Sequence, residues 1–143
     1  MKADTIRGFF EGRVPASVLA REALVTDRGV KFGADEPLSD DLSEDFTVTP
    51  DHLVALCDAV TDNQLKPAHL EVIATVLVRS DRFVWDPTTP TGALVSRVIY
   101  AWEAPEINYV LSRQTARKFR TLLCTGENQF DEADWSELPP RKS

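Results

Sequence analysis

"VTPDHL" runs from Val48 to Leu53, and "LKPAHL" runs from Leu65 to Leu70. Seventeen positions apart, the chain repeats one pattern: aliphatic, polar, Pro, any residue, His, Leu. Proline suits the first position of a helix, where its missing N–H would have had no intrahelical partner. Thr49 before Pro50 supplies an N-cap hydroxyl, and Val48 and Leu53 then stand where a hydrophobic staple needs them. In the second copy Leu65 and Leu70 take those places, with Lys66 a poorer cap before Pro67. Both stretches predict helix starts, and His52 and His69, the two histidines of the chain, share the third helical position. In a hairpin through "TDNQLK" those starts lie at opposite ends, ~16–18 Å apart at ~1.5 Å per residue. One metal ion cannot bridge that gap, and two histidines are too few for a closed zinc site. They are expected to be structural, at the surface or at helix boundaries.

The same punctuation extends outward. Thr89-Pro90 caps and starts a helix, Val14-Pro15 opens another, and Ser112 precedes a third that Gly126 closes. Apolar residues recur at spacings of three and four within each segment, which predicts helices over 4–11, 15–25, 50–61, 67–80, 91–103 and 113–124. In 67–80 Leu70, Ile73, Ala74 and Leu77 share a face that Val72, Val76 and Val78 broaden, so this helix is expected at the centre. "ALVSRVIYAW" has the β-branched and aromatic content of a strand. Its spacing of Leu94, Val98, Ala101 and Trp102, and the stop at Pro105, favour helix. "RFVWD" reads as a short extended piece. The expected fold is mainly α: one domain over 1–143, a compact bundle of about six helices with an acidic loop at 26–48 and an acidic tail from 127. Phe46, Leu38 and Leu42 are placed to pin the loop, and Phe130 and Trp135 the tail.

Charge is unevenly spread. The net charge is −7, and eleven of the 23 acids fall in two short runs without a base. One holds Asp35, Glu36, Asp40, Asp41, Glu44 and Asp45; the other holds Glu127, Asp131, Glu132, Asp134 and Glu137. Such runs repel nucleic-acid phosphate and anionic membrane and attract a basic partner. The basic helix with Arg113, Arg117, Lys118 and Arg120 is expected to pair with the tail that follows it. The loop acids are expected to face solvent, so that neutralising Asp40, Asp41, Glu44 and Asp45 together would leave stability unchanged.

Chemistry is harder to find. "RGVKFG" lacks the Lys-Ser/Thr ending of a phosphate loop, and "DEPLSDDLSED" lacks the glycine and spacing of a calcium loop. No serine or cysteine sits beside a positioned base, and Cys57 lies on an apolar helix face. Glu71 and Glu103 have apolar neighbours but occupy polar-face positions. No catalytic residue, cofactor or metal is expected. No apolar run reaches the ~18 residues of a membrane span, the N-terminus lacks a secretory signal, and two cysteines in unrelated contexts suit a reducing cytoplasm.

The small, acidic, mostly helical character of the chain, with the run "VIATVLVRSDRFVWD…VIYAWEAPEINY", resembles the immunity proteins of bacterial toxin–immunity systems. That resemblance implies a non-catalytic inhibitor binding a cognate toxin, often a basic domain, through an acidic surface. The residues expected to meet the partner are Asp35, Glu36, Asp40, Asp41, Glu44, Asp45, Asp131, Glu132, Asp134 and Trp135. Two other readings use the same features: a helical regulatory or adaptor domain that binds a host protein, and an acidic mimic of nucleic acid. Oligomeric state is left open.

Overall fold

The structure, a computed structural model, describes residues 1–27 and 41–136. Six helices carry it: α1 (Ala3–Phe10), α2 (Ala16–Asp27), α3 (Pro50–Thr61), α4 (His69–Arg79), α5 (Pro90–Glu103) and α6 (Arg113–Thr125). The mainly α fold read from the sequence is the fold observed. Two-residue strands β1 (Phe46–Thr47) and β2 (Phe83–Val84) pair in parallel, Phe46 opposite Phe83 and Thr47 opposite Val84. Short 3-10 turns span Pro105–Ile107 and Glu132–Asp134.

Each helix begins as its local chemistry dictates. The Thr89 hydroxyl accepts from the Gly92 N–H at 3.0 Å, and the Ser112 hydroxyl accepts from the Thr115 N–H at 3.0 Å. Gly126 closes α6 at φ +82°, a left-handed conformation that costs glycine nothing. Gly92 is required for a different reason: a Cβ there would lie 1.8 Å from the Asp86 carbonyl oxygen. The segment from Asp86 folds back so tightly on α5 that no side chain fits.

The α4 helix starts two residues later than the sequence suggested. His69, Leu70 and Glu71 donate three residues back, to Lys66, Pro67 and Ala68, so the first turn is wound as a 3-10 turn. Its inner face is as expected: Leu70, Ile73, Ala74, Val76 and Leu77 are buried. Helix α4 packs chiefly on α5 and also meets α2 and α1, while α3 packs chiefly on α6. The buried residues of the bundle form one contiguous cluster, with Trp102, Phe119, Leu53 and Ile73 among its largest members. Among the described residues no helix is long and apolar enough to cross a membrane.

Candidate functional site: two anchored acidic segments

The repeated Pro-x-His stretches resolve into one device used twice. The Nδ1 of His52 accepts the Thr49 N–H at 3.0 Å, and the Nδ1 of His69 accepts the Lys66 N–H at 3.1 Å. Each histidine thus plays the part that Glu or Gln plays in a capping box, reaching back to an orphan donor. The acceptor must be an unprotonated nitrogen. His69 is buried and His52 half-buried, further inside than surface histidines would be. His52 stacks on Phe10 at a centroid distance of 4.7 Å and lies 5.1 Å from the Phe46 ring. Burial lowers its pKa from the ordinary value, against the opposing pull of Asp51. Cys57 is buried, and burial pushes its thiol far up. Among the described residues no group of three or more His, Cys, Asp or Glu side chains could hold a metal ion.

The acidic loop meets the body at the end of α4. Asp41 does not face solvent as the sequence suggested. Its Oδ1 accepts from the Ser80 hydroxyl at 2.6 Å and the Leu42 N–H at 2.8 Å, and its Oδ2 accepts the Asp81 N–H at 2.8 Å. Burial acts to raise this carboxyl, but those bonds outweigh it and leave its pKa below the usual range. Five residues on, the Phe46 N–H donates to the Arg82 carbonyl at 2.7 Å and β1 joins β2. Glu44 and Asp45 stay outside, 65% and 63% exposed, near Arg7 at 3.7 Å and Arg82 at 3.1 Å. Asp35, Glu36 and Asp40 lie outside the described residues, as does Glu137.

The tail is held at the other end of α4. Asp134 is 3% exposed; its Oδ2 accepts from the Lys118 ammonium at 2.6 Å and from the Asp131 N–H at 2.9 Å. Burial again works to raise the carboxyl, and the Lys118 bond and its companions win, keeping its pKa low. Val110 donates to the Asp134 carbonyl and Ser136 to the Asn108 carbonyl, both at 2.9 Å, so Tyr109 and Trp135 face each other across an antiparallel bridge. Their rings lie 4.6 Å apart, and Tyr109 also stacks flat on Phe130 at 3.9 Å. Asp131, 66% exposed, caps the turn by accepting the Ala133 N–H at 2.9 Å. Glu132 and Trp135 are exposed.

The pairing of the basic helix with the tail is narrower than expected. Lys118 makes it, whereas Arg120 bonds Asp58 at 2.7 Å and Arg113 donates to the Thr61 carbonyl at 3.3 Å. The two acidic segments are not brought together. One joins α4 at Ser80–Asp81; the other, through Ser136, shares a groove with Ala68 and Glu71 at its start. Eleven helical residues separate them, or ~16 Å at ~1.5 Å each. That groove, lined also by Pro105, Glu106, Val110 and Leu111, has no antecedent in the sequence reading. Its one legible sign was the apolar pair Val110 and Leu111 just before the Ser112 cap. No family model matches the chain, and no curated protein or solved structure shows significant similarity to it.

Proposed function

We propose that the chain is a non-catalytic, protein-binding inhibitor, of the kind that neutralises a bacterial toxin, and that its acidic segments meet a basic partner. The observation that carries this reading is the division of labour within each acidic run. Asp41 and Asp134 turn inward as anchors, and Glu44, Asp45, Asp131 and Glu132 are left displayed. Acids held in place by an anchored backbone lose less entropy on binding than acids on a free chain. Fixed negative charge also steers a basic partner and rejects an acidic one.

The chemistry of the candidate catalytic groups supports the same reading. Both histidines spend Nδ1 on a backbone N–H, and the Cys57 thiol is buried and hard to ionise. The test is capture on the immobilised full chain of the product of a neighbouring toxin-like reading frame. Retention at ~50 mM salt and release at ~500 mM is expected, because screening shortens the reach of exposed charges. Retention that is indifferent to salt overturns the acidic-surface reading.

A further inference from the structure

We infer that His52 is a pH-sensitive latch: while neutral it holds the segment 41–49, with its displayed Glu44 and Asp45, against the body, and on gaining a proton it releases that segment. The latch is a property of the chain alone. Only its bearing on partner capture rests on the protein-binding reading.

Four elements meet at this point through one ring each: Phe10 from α1, Phe46 from β1, His52 from α3 and Phe83 from β2. Phe46 lies 6.0 Å from Phe10, 5.8 Å from Phe83 and 5.1 Å from His52, and Phe10 stacks on His52 at 4.7 Å. Of the four rings, that of His52 alone ionises. Its Nδ1 accepts the N–H of Thr49, the residue through which the segment enters α3. A protonated imidazole carries a hydrogen on both nitrogens, so the same contact would set two donors face to face. Just upstream, Phe46 and Val48 donate to the Arg82 and Val84 carbonyls at 2.7 and 2.9 Å. A strand pair this short is marginal by itself and depends on the rings that cover it. Loss of the Thr49 contact therefore acts directly on the pairing of β1 with β2.

The charged groups around the junction are already engaged. Arg7 of α1, 5.7 Å from the Phe46 ring centroid, meets Glu11 and Glu44; Arg82 beside β2 meets Asp45; Asp41 accepts from Ser80 and Asp81. Asp51, next to His52 on α3, favours the charged ring, and burial opposes it and wins. Stacking on Phe10 would attract a cation, yet it offers the Thr49 N–H no acceptor. Burial is relieved on release, so the latch is complete above ~6.5 and is lost as pH falls from there through the folded value.

The experiment measures amide hydrogen exchange of the full chain at pH 7.5 and 5.5, each rate divided by the intrinsic rate at that pH. Protection of the Phe46 and Val48 amides should fall at least threefold, while that of Ile73 and Leu77 in α4 holds. One group titrating a pH unit below ~6.5 can supply about tenfold at most. In His52→Gln, which keeps an acceptor and cannot titrate, the Phe46 and Val48 protection should be flat with pH. A second variant reads the coupling from the other side. Phe46→Leu weakens the segment's seat, so by reciprocity the midpoint of the His52 ring resonances should move up toward ~6.5.

Protection at Phe46 and Val48 that is indifferent to pH would overturn the latch. An equal fall at Ile73 and Leu77 would make the transition global and overturn it too. So would a pH response that survives in His52→Gln, or a His52 midpoint unmoved by Phe46→Leu. All of this is read without a partner, so failure of the latch and failure of the protein-binding reading are separable.

Discussion

The two ends of α4 solve the same problem with different chemistry. At its C-terminal end the acidic loop is held by neutral donors, the Ser80 hydroxyl and the N–H groups of Leu42 and Asp81, and by a parallel strand pair. At its N-terminal end the tail is held by an ion pair, Lys118 with a nearly buried Asp134, and by stacked aromatic rings. The difference teaches that an acidic run is not a uniform surface. Position within it decides which carboxylate is built into the fold and which stays on the exposed surface.

Changes that touch the frame shared by both ends should cost most. Leu77 is fully buried on α4, and Leu77→Ala should cost ~2–5 kcal/mol through lost burial and a residual cavity. Gly92→Ala forces a Cβ against the Asp86 carbonyl, and should cost about 3 kcal/mol or more, since backbone rather than a flexible side chain must give way. Urea melts of both variants check this. A mild Leu77→Ala would make α4 peripheral and dissolve the frame on which the comparison stands.

A smaller effect separates the ends by pH. His52 has a lowered pKa when folded. Its contribution is therefore complete above the unfolded value of ~6.5 and is lost as pH falls from there through the folded value. Between pH 7.5 and 5.5 the wild-type melting midpoint should fall, and in His52→Gln it should fall less. Glutamine keeps an acceptor for the Thr49 N–H and cannot titrate. A pH profile in His52→Gln identical to that of the wild type would remove this histidine from the account. The anchors respond lower still: the low pKa values of Asp41 and Asp134 give stability that is present above ~3.9 and lost as pH falls through their folded values.

The helices were legible because proline, cap and periodicity agreed at each start. The reading of 50–61 coincides with α3, and the others differ by at most two residues at either end. The late start of α4 was hidden because Lys66 is a weak cap and the first turn tightens. The pairing of β1 with β2 was not legible. Two-residue strands 37 positions apart carry no periodic signal, although "RFVWD" was read as extended. The capping role of His52 was within reach, since it stands three residues after Thr49, the spacing of a capping box. Which acids turn inward was only partly within reach. Asp41 depends on Ser80, 39 positions away, and leaves no mark in local sequence. Asp134 stands three residues after Asp131 at the same capping-box spacing, but its pairing with Lys118 depends on the register of α6.

The central claim, that anchors and displayed acids differ in kind, is tested most directly by four single variants in parallel urea melts. Asp41→Asn and Asp134→Asn each disturb charge-assisted hydrogen bonds and should lose about 1 kcal/mol or more. Asp45→Asn and Glu132→Gln alter exposed groups and should stay within about 0.5 kcal/mol of the parent. Four equal losses, or none at Asp41 and Asp134, would contradict the division of each acidic run into anchor and display.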